Sequence, residues 1–267
     1  MQYPRPTECA RVRTPALPPG AIRRLSTRSL FAGMRLTGTP HTDYRDVRGV
    51  RYRVIHMTET LAVHTVEGFL TPDERHSLIK VLDEHLEATG WVPERPSAAL
   101  VPPDTAQEIL EAGFRRALPG IRRVFPSVAA CTPWNYHDLA PGDRIDPHLH
   151  GVPDPGARPQ RVARVAFHLQ EAARGGEFFV DTCSSDALWT DRAAGPGSAF
   201  APGTRFARDI PDDGGTHNAW LGAVPRTRWT SAPPAGTAVV YGAQLVHGVL
   251  PVAEGRLRKL ITNLLDG

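Results

Sequence analysis

G-T-A-V-V-Y-G-A-Q-L-V-H-G-V-L (236–250) is a short apolar stretch punctuated by glycine, and it reads as strand rather than helix. Runs of the same kind, set off by Gly/Pro turns, stand at A-C-T-P-W-N-Y-H-D-L (130–139), R-V-A-R-V-A-F-H-L-Q (161–170), G-E-F-F-V-D-T (176–182) and R-L-R-K-L-I-T-N-L-L (256–265). Several short strands with no helices between them argue for a β-sandwich or barrel. Between the third and fourth runs, residues 182–235 break the pattern with many Gly, Pro, Asp and Arg and with Trp189, Trp220 and Trp229. So long an irregular insert is expected to be a lid or specificity loop.

Upstream the pattern is helical. L-A-V-H-T-V-E-G-F-L (61–70) reads as a strand, and T-P-D-E (71–74) then starts a helix: Thr71 as N-cap, Pro72 at the first helical position, Glu74 closing a capping box. Leu78, Ile79, Leu82 and Leu86 give it one buried face, and Gly90 ends it. A second helix is expected from about Thr105 to Ala117, with Ile109, Leu110 and Phe114 inward and Pro119 ending or kinking it. Helices first and strands after make an α+β domain with one β core.

Composition bounds the rest. The 267 residues are 41% hydrophobic and 22% charged, which allows a full core, and no run approaches the ~18 apolar residues of a membrane span. Cys9, Cys131 and Cys183 are too few and too scattered for a disulfide framework, so a reducing, cytoplasmic setting is expected. Residues 1–42 hold seven arginines against one acid, Glu8, so the net charge of +3 divides into a tail at +6 and a body at −3. An acidic body argues against a nucleic-acid groove. The tail, residues 1–50, is expected to be disordered or extended. Met34 and Met57 offer other starts, and the tail's prolines oppose the amphipathic helix of a transit peptide. Order is expected from near Tyr52, with a single domain over 51–267. Only Lys80 and Lys259 are lysines among 31 basic residues, a bias that fits a GC-rich coding sequence.

Three of the eleven histidines stand apart. P-G-D-R-I-D-P-H-L-H-G (141–151) sets His148 and His150 two apart, and on an extended strand both imidazoles project from one face. His247 lies at the end of another strand. Two histidines at i, i+2 and a distant third suit a three-ligand metal site with open positions.

Together these segments resemble the prolyl-4-hydroxylase type of iron(II)/2-oxoglutarate-dependent oxygenase. V-E-G-F-L-T-P-D-E-R (66–75) is similar to an early segment of that family, and the Gly142-to-His148 turn to its first metal segment, G-x5-H-x-D. L-Q-E-A-A-R-G-G-E-F-F-V (169–180) resembles its Y-L-N…G-G-E-T-x-F, and P-A-G-T-A-V-V-Y-G-A-Q-L-V-H-G-V-L-P-V-A-E-G-R (234–256) its last signature. The resemblance covers roughly residues 62–265. It implies a double-stranded β-helix, or jelly roll, with helices on one side. It implies Fe(II) and 2-oxoglutarate as cofactors, with dioxygen and a small molecule as substrates. The reaction would decarboxylate 2-oxoglutarate to succinate and hydroxylate an amino acid or natural-product intermediate. No nucleic-acid or membrane partner is expected.

The chain departs from the family at two points. The metal triad there is His, Asp, His; here His150 stands at the Asp position, so His148, His150 and His247 would leave iron without a charged protein ligand. Asp146 and Asp154 are nearby carboxylates that could substitute. The family also places a basic residue about ten positions after the last histidine, to pair with the far carboxylate of 2-oxoglutarate. Position 257 is Leu, and Arg258, with one inserted residue, is favoured over Arg256. His168 and Arg164 are further candidates for the same co-substrate. Two other readings use the same residues: a cupin-type three-histidine dioxygenase, matching G-x5-H-x-H, and a jelly-roll binding domain without metal. Arg205, Arg208, Arg226 and Arg228 in the insert point to an amphipathic or anionic small molecule.

Overall fold

The fold rests on two facing sheets, which a computed structural model describes over residues 22–24, 44–47, 50–183, 185–212 and 219–267. In chain order the first strands are β1 (Ile22–Arg24), β2 (Tyr44–Val47), β3 (Val50–Arg53), β4 (Val63–Val66), β5 (Val128–Cys131) and β6 (Asn135–Leu139). Next come β7 (Ile145–His148), β8 (Arg161–Gln170), β9 (Arg174–Gly175), β10 (Phe178–Cys183), β11 (Trp189–Ala193) and β12 (Arg205–Ala207). The last are β13 (Arg226–Ser231), β14 (Ala238–Gly242), β15 (Val246–Val249), β16 (Val252–Glu254) and β17 (Leu257–Asp266). The helices are α1 (Met57–Thr60), α2 (Pro72–Thr89), α3 (Asp104–Ile121) and α4 (Ala219–Ala223).

The larger sheet runs β4-β14-β8-β17-β5, with β6 also on β17; the smaller runs β1-β13-β10-β15-β7. All their pairings are antiparallel except β1 on β13. This is a jelly roll with the helices stacked on the outer face of the larger sheet. Leu78 and Leu82 of α2 and Leu110 and Phe114 of α3 share one buried cluster with Val165, Phe167, Leu260 and Leu264. A second cluster fills the space between the sheets, with Phe178 and Val180 of β10 against Ala166, Tyr241 and Ile261.

The helix signals act as read. Thr71 Oγ1 accepts from the Glu74 N–H at 3.2 Å, Glu74 Oε2 accepts from the Thr71 N–H at 2.9 Å, and Gly90 caps α2 in the left-handed region. Helix α3 runs past Pro119 to Ile121, so the proline sits in its last turn without ending it. The strand expected over 61–70 shortens to β4 and a turn.

The stretch 182–235 carries regular structure. β11 and β12 form a hairpin, and β13 is an integral strand of the smaller sheet, between β10 and β1. Within 1–50, β1 adds to that sheet and β2 pairs with β3; the rest of that stretch lies outside the described residues. No helix among the described residues is long and apolar enough to cross a membrane.

Candidate metal centre

His148 on β7 and His247 on β15 are register partners across adjacent strands, with ring centroids 4.1 Å apart. The glycine after His247 permits this approach: a Cβ on Gly248 would lie 2.4 Å from the Ile145 carbonyl oxygen. His150, just beyond the end of β7, brings its ring to 5.0 Å from His148 and 5.8 Å from His247. One ligand nitrogen from each of the three lies within 4.8 Å of the others. Three nitrogen donors gathered this closely could hold one metal ion.

The tautomers of two rings are set by backbone carbonyls. Nδ1 of His148 donates to Asp146 O at 3.0 Å and Nδ1 of His247 to Leu245 O at 2.9 Å, so both Nε2 atoms keep a free lone pair. Nε2 of His247 is buried and has no hydrogen-bond partner. Burial lowers the pKa of all three rings, to about 2 for His150, where Arg164 adds to the effect, and His247 is further depressed by His148. Neutral imidazoles are the form that binds metal, so the donor set fits a divalent cation. His150 is held differently: Arg164 Nη1 donates to its Nε2 at 2.8 Å. Asp146 Oδ1 pairs with Arg144 and Asp154 Oδ1 accepts from the Gly156 N–H, and neither belongs to the cluster.

A cavity of about 280 Å³ opens on the histidines, lined also by His137, Arg164, Tyr241, Lys259 and Asp212. The Tyr241 ring packs 4.5 Å from that of His247. Lys259 is 6% exposed; burial, aided by Arg164 and opposed by Asp212, pushes its pKa down to about 7. It stands in register with His137 on β6 and His168 on β8, whose pKa values burial, aided by Lys259, lowers to about 3.

The structure does not bring the two arginines expected to anchor 2-oxoglutarate into this cavity. Arg256 makes a two-point pair with Asp138, at 3.0 and 2.7 Å. Arg258 donates to the Tyr136 hydroxyl at 2.8 Å and to Asp83 of α2. The cause is strand alternation. Arg258 shares its face with Leu260 and Leu264, under the helices, whereas Lys259 shares the opposite face with Ile261. A one-residue difference in position therefore exchanges core side for pocket side. Arg164 does line the cavity; His168 lies beside Lys259, fully buried, with its Nε2 unpartnered. The sequence reading missed Lys259, His137, Tyr241 and Asp212.

No family model matches the chain, and no curated protein matches it. Solved structures do. SnoK, a non-heme alpha-ketoglutarate-dependent carbocyclase from nogalamycin biosynthesis, is 12% identical, with 79% of this chain and 81% of SnoK covered, at a TM-score of 0.52. The viral collagen prolyl hydroxylase of Paramecium Bursaria Chlorella virus-1, with 2OG, is 15% identical over 77% of this chain and 96% of its own, at 0.45. An oxidoreductase of the 2OG-Fe(II) oxygenase family from Burkholderia pseudomallei is 15% identical over 92% and 95%, at 0.47. The likeness to SnoK, at 12% identity, is one of fold.

Proposed function

We propose that the chain is a non-haem iron(II)/2-oxoglutarate-dependent oxygenase that hydroxylates a small organic molecule. The observation that carries the reading is the placement, in one cavity inside a jelly roll, of three neutral histidines and a single buried lysine. His148 and His247 would hold the metal through Nε2, with His150 as the third donor. Lys259 would take the distal carboxylate of 2-oxoglutarate, beside His168 and His137. On this reading Lys259 takes the role that the family resemblance gave to Arg258 or Arg256.

Bound iron and 2-oxoglutarate supply, with dioxygen, an oxidant able to attack an unactivated C–H bond, with succinate and carbon dioxide as co-products. The protein's part is to bind, orient and exclude water. Phe178, Tyr241 and Ile261 line the cavity with apolar surface, which keeps bulk water from the metal. Two backbone carbonyls hold His148 and His247 in their ligating tautomers. A cupin-type reading uses the same triad but gives the buried cation on the facing sheet no partner.

The test is release of succinate from 2-oxoglutarate by the iron-loaded, aerobic protein, measured with and without Lys259→Met. Iron-dependent succinate formation in the unchanged protein, lost in the variant, is the expected outcome. Absence of any such turnover, with oxygen consumed and 2-oxoglutarate untouched, would favour the cupin-type reading.

A further inference from the structure

A second cavity, of about 270 Å³, shares His150 with the first. Its walls are Gly151–Pro153 after β7, Arg161 at the start of β8, Thr190 and Arg192 of β11, and Ala207–Asp209 at the end of β12. Arg161 faces it because of a bulge. Ala163 pairs with Leu264 but Arg161 with Leu265, so Val162 is an extra residue in β8. Val162 packs into the helix-side core alongside Ala163. Arg161 and Arg164, three apart, thereby come to the same side of the strand.

The arginines of this region divide cleanly by partner. Arg205 pairs with Asp186, and both Arg226 and Arg228 pair with the buried Asp181. The three that line the cavity make no ion pair with a carboxylate among the described residues. Arg161 has a buried, unpartnered Nε, and its one side-chain hydrogen bond among the described residues is a long contact to the Gly151 carbonyl at 3.5 Å. Arg192 is aimed by the Pro153 and Val152 carbonyls, at 3.0 and 2.6 Å. Arg208 is exposed and makes no ion pair among the described residues. Asp209 is the one acid on the wall, exposed, and accepts from the Gly151 N–H at 3.3 Å. Three guanidiniums against one carboxylate leave the cavity with a net charge of +2. Arg161 is half-buried with its Nε unpartnered, and a planar fork of donors suits a carboxylate or phosphate.

We propose that this cavity binds an anionic group, carboxylate or phosphate, of the organic substrate. Arg161 and Arg208 grip it, Arg192 stands behind them, and the carbon skeleton runs past His150 to the metal-side cavity. The substrate is then an anionic small molecule whose reacting carbon lies a short distance from its charge. The link to the substrate rests on the oxygenase reading; the anion site itself does not.

The experiment begins with the full chain saturated with nickel(II) and 2-oxoglutarate, each binding step measured by calorimetry. Lys259 is then occupied and cannot report. Inorganic phosphate and acetate are titrated in turn, and the tighter probe names the anionic group. One probe site is expected, weakened at least tenfold in both Arg161→Met and Arg208→Met. Because Arg161 is half-buried, its variant is accepted only with an unchanged melting temperature, and exposed Arg208→Met carries the test if it is not. Failure of nickel or 2-oxoglutarate to bind counts against the oxygenase reading, and the same titrations on the metal-free chain then decide the anion site. Neither probe binding, or both binding the variants as they bind the parent, overturns the proposal.

Discussion

The central strand pair β8–β17 has two faces, and they are built on opposite principles. Toward the helices it presents Ala163, Val165, Phe167, Leu169, Leu260 and Leu264, all buried in one hydrocarbon cluster. Toward the barrel interior it presents Arg164, His168 and Lys259, with Arg161 at the end of the row. The first face lowers the free energy of folding by ~25 cal/mol for each Å² of apolar surface removed from water. The second raises it, since a buried cation without a carboxylate is costly. A fold that carries such a face is stabilised by ligands that neutralise it, which ties stability to occupancy.

The sharpest break in that comparison is to empty the pocket face of its metal donors. His247→Ala removes a ligand whose Nε2 has no other partner, and the hydrocarbon face is untouched. Nickel or iron affinity in an anaerobic titration should fall by more than about a hundredfold, beyond the effect typical of an outer-shell partner. The helical far-ultraviolet signal should stay the same. Unchanged affinity would remove the metal reading altogether.

Next in size is the contrast between adjacent residues on the two faces. Losing the cation beside a buried carboxylate costs ~2–5 kcal/mol, so Lys259→Met should weaken 2-oxoglutarate binding by about thirtyfold to thousands-fold. Arg258→Ala should leave that binding nearly intact and cost about 1 kcal/mol of stability, through Tyr136 and the half-exposed Asp83. The two variants separate further with pH. The folded pKa of Lys259 is lowered from 10.5 to about 7. Below pH 7 the lysine is charged in both folded and unfolded chains, and the full burial penalty acts. Between 7 and 10.5 the unfolded chain holds the extra proton, so stability from this group rises with pH. In the absence of 2-oxoglutarate, Lys259→Met should therefore stabilise the protein most at pH 6, by a few kcal/mol on the order implied by the shift, and least near pH 10. Denaturant midpoints at the two pH values check it.

The same pair of faces explains what could be read beforehand. The helix-side face announces itself by repetition: α2 and α3 carry spaced apolar residues, and the capping box at Thr71–Glu74 marks a start to the residue. The histidines were legible because H-x-H places two rings on one side of a strand whatever the surrounding register. The anchoring cation was not, because which of Arg256, Arg258 and Lys259 faces inward depends on a single position along β17. Two bulges in β8, at Leu169 and at Val162, disturb the pairing on either side. No local composition signals them, and the second puts Arg161 on the face of Arg164. One clue was present: in a chain where 29 of 31 basic residues are arginine, a lysine inside an apolar strand is out of keeping.

The smallest expected effect concerns His150. His148 and His247 give Nδ1–H to carbonyls and keep Nε2 for metal, but the Nε2 lone pair of His150 is engaged by Arg164. A neutral imidazole whose Nε2 accepts a hydrogen bond carries its proton on Nδ1, so in this arrangement neither nitrogen is free. Metal and guanidinium therefore compete for one lone pair, and the guanidinium also adds a positive charge beside the ion. Arg164→Leu should raise nickel affinity severalfold, a modest gain because the ring must still rotate and desolvate. His150→Ala should lower affinity, and His150→Asp should raise it above the parent, since a charged donor replaces a neutral one and Arg164 can pair with its second oxygen. The three variants are read together in one set of titrations. If Arg164→Leu and His150→Ala both leave affinity unchanged, His150 is not a donor and the site is built on two histidines. Loss in His150→Ala with gain in Arg164→Leu would establish the competition, and with it a direct route by which an anionic ligand that draws Arg164 away tightens the metal.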